Sequence, residues 1–113
     1  MSSGRQLREN ERDLIAAMLS GKPFHHELMS DLDARIVEDM QDGGMGSIRF
    51  LSGDKGPHLG AAVAEAEYTD DDGVLVSIVL NTDSNDRLYE VDFWKVDFSH
   101  LRRYPLPSDL RLK

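Results

Sequence analysis

Cysteine is absent from the chain, which excludes disulfide bonds and cysteine-ligated zinc sites. No apolar run approaches the roughly 20 residues that a membrane-spanning helix needs, so we expect no membrane partner. The first ten residues, MSSGRQLREN, lack the apolar stretch of a secretory signal. These absences together predict a cytoplasmic protein.

Positive charge is scarce. Lys and Arg number 13 against 21 Asp and Glu, which gives a net charge of −8 at pH 7. Binding to DNA or RNA needs clustered Lys and Arg, so we expect no nucleic-acid partner. An acidic surface of this kind keeps a protein soluble or attracts a basic partner.

The length of the chain, 113 residues, predicts a single domain over residues 1–113. A domain of this size can bury a core without cross-links. We expect residues 1–6 to be frayed, because they are polar and terminal. Residues 99–113 contain two prolines and are predicted to form an irregular tail.

Two helices are predicted near the N-terminus. Apolar residues recur at helical spacing from Glu9 to Leu19, and Gly21 suits the position that follows a helix. Pro23 then opens a second short helix, because the missing N–H costs nothing at the first helical position.

Residues 33–41 fit either a helix or a strand. Ile36 and Met40 keep helical spacing, but they also alternate with polar residues. The DGGMG sequence at 42–46 favours a strand, because glycines permit the positive φ angles of a hairpin loop. The return strand then covers residues 47–52.

Three further strands complete a meander. The GDKGPHLG sequence at 53–60 is predicted to be a loop, because Gly and Pro dominate it. Residues 61–69 are rich in Ala and Glu, for which a helix is a rival interpretation. The following Asp71–Gly73 sequence fits a three-residue hairpin loop and favours a strand. The pattern predicts an α+β domain, with two N-terminal helices packed on a roughly five-stranded antiparallel meander sheet.

The last hairpin decides which side chains share a face. Apolar runs at 74–82 and 89–98 flank turn-forming residues at 83–86. Pairing Thr82 with Arg87 predicts one buried face, on which Leu80 faces Tyr89, Ile78 faces Val91 and Val76 faces Phe93. Beyond Phe93 the apolar parity switches to Trp94, Val96 and Phe98, which predicts a bulge or a strand that joins another layer.

This register places four carboxylates on the outer face of the sheet: Glu65, Glu67, Glu90 and Asp92. Like charges on neighbouring strands are destabilising, so the patch has three interpretations. It is a solvated face, a docking surface for a basic protein, or an oxygen-ligated metal or acid–base site. We favour docking, with Trp94 as an aromatic anchor, and assign no catalytic residue, metal or cofactor.

Two alternatives remain open. The glycine-rich loop could let a ligand approach backbone N–H groups in a small enzyme or ligand binder, although it matches no phosphate-binding motif. The residues of that site are Asp42, Gly43, Gly44, Gly46 and Ser47. The second alternative is a structural homodimer that covers exposed Leu75, Val79 and Trp94.

Two segments carry a resemblance to a known family. EDMQDGGMGSIRF at 38–50, with its DGGMGS loop, and LYEVDFWKVDF at 88–98 resemble, together with the opening helix, a family of small bacterial domains that carry no assigned function. The resemblance covers most of the chain and implies no activity. More distantly, in size, acidity and α+β layout alone, the chain resembles immunity proteins that neutralise toxins.

Overall fold

The computed structural model of the chain describes residues 4–30, 32–51 and 59–113, with the exception of the Leu59 side chain. In chain order the elements are β1 (Arg5–Gln6), α1 (Glu9–Leu19), α2 (His25–Met29), a 3-10 helix (Leu32–Ala34), β2 (Ile36–Asp39), β3 (Ile48–Phe50), β4 (Leu59–Thr69), β5 (Leu75–Asp83), β6 (Leu88–Lys95), a second 3-10 helix (Pro107–Asp109) and β7 (Arg111–Leu112).

Within the described residues, seven strands form one antiparallel sheet in the order β1-β2-β3-β6-β5-β4-β7. The predicted α+β class and antiparallel sheet are confirmed. The predicted number of roughly five strands is wrong, because two-residue strands near the two ends of the chain extend the sheet at both edges.

The first of these short strands, β1, is held by an arginine. The Arg5 guanidinium donates to both carboxylate oxygens of Glu11, at 2.8 and 2.7 Å, and to Asp39 at 2.8 Å. Glu11 is buried at the start of α1 and also accepts from the Arg8 backbone N–H. These bonds tie Arg5–Gln6 to α1 and β2, where the sequence predicted a frayed end.

The last strand, β7, belongs to the tail that was predicted to be irregular. Leu112 pairs with Ala66 of β4, so β7 forms the edge of the sheet on this side. Before it, the Arg103 side chain donates to Asp109 at 2.7 Å and to Asp71 at 2.9 Å. The tail therefore has one short strand and one 3-10 turn, and its charged side chains hold it against the sheet.

The ambiguous segments resolve as strands. Ile36–Asp39 forms β2, so the strand interpretation of residues 33–41 holds for these four residues, whereas the beginning of the segment belongs to the 3-10 helix Leu32–Ala34. Leu59–Thr69 forms β4, and the predicted three-residue loop closes it, with Gly73 at φ +79°. Of the loop predicted at residues 53–60, the part up to residue 58 lies outside the described residues, and the remainder belongs to β4. The second helix begins at His25, two residues after Pro23.

One hydrophobic core contains residues from both helices and from the strands. Its fully buried members include Leu14, Ile15, Met18, Leu19, Leu32, Val37, Ile48, Ala66, Tyr68, Val76, Ile78, Leu80, Leu88, Val91 and Phe93. The face predicted to be buried, with Ile78 and Val91 at its centre, is therefore the core face.

The register of β4 with β5 is as predicted, with Ala66 opposite Ile78. The predicted register of β5 with β6 is wrong by two residues: Ile78 was expected opposite Val91, but it pairs with Phe93. The turn closes between Asp83 and Arg87, and an irregularity in the pairing next to Asn81 then inserts one more residue. The bulge thus lies beside the turn, and the pairing shows none beyond Phe93.

Candidate functional site

The corrected register rearranges the outer face of the sheet. Asp92 lies opposite Val79, which lies opposite Glu65. Trp94 lies opposite Ser77, which lies opposite Glu67. The carboxylates are therefore spread over more rows of the sheet than the predicted pairing implied.

Two of the four predicted carboxylates are paired within the chain. Glu67 lies 3.4 Å from both Arg111 and Lys113, which the tail brings to this face. Glu90 is buried; its carboxylate accepts from Asn81 at 3.1 Å and lies 3.8 Å from Arg49. These two acids stabilise the sheet itself.

The other two carboxylates have no ion-pair partner among the described residues. Glu65 is exposed on β4. Asp92 is half-buried, and burial, followed by the negative charges of Glu90 and Asp42, raises its pKa above the ordinary value against a hydrogen bond from Ser47. Glu65 and Asp92 are thus the acids of this face that remain available to an external cation.

Four apolar side chains lie exposed beside these acids and form what we call the aromatic patch: Leu75, Trp94, Val96 and Phe98. Trp94 lies on the outer face of β6 because side chains alternate along a strand, and Val96 is the first residue after that strand. The Val96 N–H donates to the Leu75 carbonyl across the strands, at 3.1 Å. The patch therefore lies where the first residue of β5 meets the end of β6.

Phe98 completes the patch through an unusual backbone conformation. Its φ is +65°, and its N–H closes a tight turn by donating to the Lys95 carbonyl at 2.9 Å. A bulky side chain at positive φ is strained. The turn places the Phe98 ring 5.0 Å from the Trp94 ring, at 74° between the planes. The side chain that bears this strain is also the most exposed of the four, at 62%.

The predicted glycine loop uses its own polar groups internally. The Asp42 carboxylate accepts from the N–H groups of Met45, at 3.1 Å, and Ser47, at 2.9 Å. The Ser47 hydroxyl accepts from the Phe93 N–H at 2.8 Å and is buried. The Gly44 carbonyl accepts a hydrogen bond from the Leu101 N–H of the tail. These bonds bring the loop residues together as a packed turn.

Cavities lie elsewhere. One of about 420 Å³ lies between α2, the start of β4 and the end of β5, and its lining does not include the glycine loop. Within the described residues, no group of three or more acidic or histidine side chains could hold a metal ion. No helix in the described part of the chain has the length and apolar character needed to cross a membrane.

Sequence reasoning missed a buried ionic cluster on the core side of β6. The Lys95 ammonium donates to Asp72 at 2.6 Å, to Asp70 at 2.9 Å and to the His100 carbonyl at 3.0 Å. Burial by itself lowers the pKa of Lys95, but the hydrogen bonds to Asp72 and Asp70 outweigh it and raise the pKa. The available signal was parity, because Lys95 follows Val91 and Phe93 on the buried face.

Asp70 extends this cluster to the tail. Its carboxylate accepts from the backbone N–H groups of Arg102, at 2.8 Å, and Arg103, at 3.1 Å. Because Lys95 begins the turn that carries Phe98, the cluster fixes the same turn that exposes the aromatic patch.

Comparison with protein families gives one match. A family model described as a domain of unknown function (DUF6984) matches residues 4–105. The chain therefore belongs to this family of domains, and the resemblance to a small family without assigned function is confirmed. No curated protein and no solved structure matches the chain.

Proposed function

We propose that this protein is a non-catalytic binding domain that docks a basic protein on the outer face of its sheet. The observation that supports this most directly is the aromatic patch, in which an exposed ring pair is held at the cost of backbone strain. A cytoplasmic location and a bacterial origin stay predictions from the sequence.

The patch has the properties of an interface anchor. Trp94 is 50% exposed and Phe98 is 62% exposed, and aromatic residues dominate the energetics of protein interfaces. Clustered exposed apolar groups on a soluble domain mark interaction sites. The strain at Phe98 adds to this argument, because strained residues concentrate at functional positions.

The negative charge of the domain favours a basic partner. The domain carries a net charge of −8, and Glu65 and Asp92 lie unpaired on the face that bears the patch. A basic partner neutralises these acids, and its association accelerates at low salt because exposed charges attract over the Debye length. Neutralising a basic toxin, in the manner of an immunity protein, is one concrete form of this role.

The test is a capture experiment from lysate of the source organism, at about 50 mM and about 500 mM salt. The wild type is compared with Trp94→Ala/Phe98→Ala and with Glu65→Gln/Asp92→Asn. Leu106→Ala is the matched control for the patch, because Leu106 is 57% exposed in the tail. Glu9→Gln/Asp13→Asn, on the exposed side of α1, is the control for net charge.

We expect a basic protein to be captured at low salt by the wild type and by both controls, and to be lost by both test variants. Capture that survives Trp94→Ala/Phe98→Ala contradicts the proposal. Sedimentation of the purified protein examines the homodimer alternative, since a dimer that dissociates in Trp94→Ala identifies a second copy as the occupant.

A further inference from the structure

We propose that the Trp94–Phe98 ring pair binds a cationic side chain of the partner, an arginine or a lysine. This inference rests on the proposed function and names the group that the aromatic patch recognises. The rings supply the site and the neighbouring carboxylates supply the charge.

The ring pair has the geometry that such a cation needs. Two rings at 74°, with centroids 5.0 Å apart, offer π surface in two directions. The faces of aromatic rings carry negative potential and attract ammonium or guanidinium groups, most strongly at tryptophan. Both rings are at least half exposed, so a side chain from outside can reach them.

The chain shows the same type of contact elsewhere but leaves this pair without one. The Arg49 guanidinium lies over the ring of Tyr89, a residue of the same strand as Trp94, with Cζ 5.6 Å from the ring centroid. The Arg35 guanidinium lies over the Phe50 ring in the same way, at 4.9 Å. Among the described residues, no arginine or lysine is recorded over either ring of the pair.

The charges around the ring pair favour an external cation. Asp97 directly precedes Phe98, is exposed, and accepts from the Ser99 hydroxyl at 2.7 Å. Asp92 lies two residues before Trp94 on the same face. Lys95, although adjacent in sequence, turns its ammonium to Asp70 and Asp72 on the core side.

The remaining cations of this face are distant. Arg111 and Lys113 are paired with Glu67 at the far edge of the sheet. Three strand spacings separate β7 from β6, a distance of about 14 Å, so these two side chains do not occupy the ring pair.

The size of the patch also suits one side chain better than a second copy of the domain. A stable interface buries about 800 Å² on each partner, and four partly exposed side chains supply only part of that area. A single cationic side chain on the rings, within a broader charged contact, needs no more apolar area than the patch supplies.

The test uses the fluorescence of Trp94, the single tryptophan of the chain. The protein is titrated with an acetylated tetra-arginine amide and, separately, with the tetra-citrulline amide, in which a neutral group of the same shape replaces each guanidinium. We expect a saturable change in emission with tetra-arginine, weakened by salt, and no change with tetra-citrulline.

Variants then separate the ring pair from general attraction between opposite charges. Phe98→Leu keeps an apolar side chain but removes one ring, and is expected to weaken tetra-arginine binding about two- to fivefold. Leu106→Ala, which removes exposed apolar area from the tail outside the patch, is the control and is expected to leave tetra-arginine binding unchanged. Asp97→Asn should weaken binding more than Asp13→Asn, which removes the same charge from α1.

The inference is overturned if tetra-citrulline changes the emission equally, if tetra-arginine leaves it unchanged, or if Phe98→Leu binds as the wild type does. In any of these cases the proposed function still stands, provided that capture of a basic protein depends on Trp94 and Phe98. If capture does not depend on them, the proposed function itself fails.

Discussion

Lys95 Nζ lies 2.9 Å from Asp70 Oδ2, and neither side chain has any exposed surface. A buried ion pair tolerates the loss of one partner poorly, because the remaining charge stays in a medium of low dielectric constant. Asp70 also carries the tail through its two backbone contacts, so this pair joins the β4–β5 turn, β6 and the tail.

Lys95→Met should lower the melting temperature by about 10 °C or more, because it leaves the Asp70 carboxylate buried without its cation. Circular dichroism during heating measures the effect. Lys113→Met removes an exposed lysine of the same chain, and its effect should stay within about 2 °C. Equal effects of the two variants would show that the buried pair contributes no more than a surface contact.

The dependence of stability on pH should reveal Asp70. Burial favours its neutral form, but hydrogen bonds from the Arg102 N–H, Lys95 and the Asp71 N–H outweigh burial and lower the pKa of Asp70 to about 2. In the unfolded chain this pKa is about 3.9. The ionised carboxylate therefore stabilises the fold above about pH 4, and this contribution is lost as the pH falls towards about 2.

Thermal unfolding of Asp70→Asn between about pH 6 and about pH 2 tests this linkage. The variant should be less stable than the wild type at the upper end, and the two curves should converge at the lower end. Asp13→Asn, on the exposed side of α1, should follow the wild type throughout. A constant difference between Asp70→Asn and the wild type would contradict the low pKa.

Asp92 should behave in the opposite way. Burial and the charges of Glu90 and Asp42 raise the pKa of Asp92, so its ionisation opposes folding. The penalty is absent below the unfolded pKa of about 3.9 and appears as the pH rises through the folded value. Asp92→Asn should therefore raise the melting temperature by about 2–5 °C near pH 7, and this gain should vanish near pH 3.

Glu65→Gln is the matched control for Asp92→Asn, because Glu65 lies exposed on the same face and should leave the melting temperature unchanged. A gain in stability at Asp92 together with a loss of partner capture would identify Asp92 as a residue retained for binding at the expense of stability. A loss of stability in Asp92→Asn would contradict the raised pKa.

The glycine loop should respond differently at two of its positions. A Cβ at Gly46, where φ is +102°, would lie 2.9 Å from Leu101 and 3.5 Å from the Phe93 ring. Gly43 has φ +75° and open space around it. Gly46→Ala should therefore cost about 2–3 kcal/mol, and Gly43→Ala about 1 kcal/mol. Chemical denaturation measures both, and equal costs would show that the loop does not pack against the tail.

The sequence predicted the elements better than it predicted their pairing. Helical spacing and the turn residues were sufficient for α1 and for the β4–β5 register. The prediction of the β5–β6 register failed because the turn closed by Asp83 and the bulge beside it each insert a residue. Local sequence does not specify the length of such a turn. β1 was missed because Arg5 holds it through Glu11 in the following helix and through Asp39, which lies 34 residues further along the chain.

The candidate site likewise has one part that the sequence could predict and one part that depends on contacts between strands. Alternation along β6 placed Trp94 on the outer face, and the exposure of Trp94 agrees with that placement. Alternation could not show that Glu67 and Glu90 are paired, because Arg111 and Arg49 come from other strands. Nor could it show that Phe98 adopts a positive φ, which depends on the turn that follows Lys95.

The sheet order gives the domain a seam. β3 meets β6 through Ile48 with Val91 and Arg49 with Glu90, and Ser47 adds its hydroxyl contacts to Phe93. On one side of the seam, β4, β5 and β6 follow each other through short turns, which form quickly because they close short loops. Joining β3 to β6 closes a much longer loop, so the seam should form later than the β4–β5 and β5–β6 pairings. Leu75, Trp94, Val96 and Phe98 all lie on the early-forming side, so the proposed binding surface should assemble without the pairing of β3 with β6.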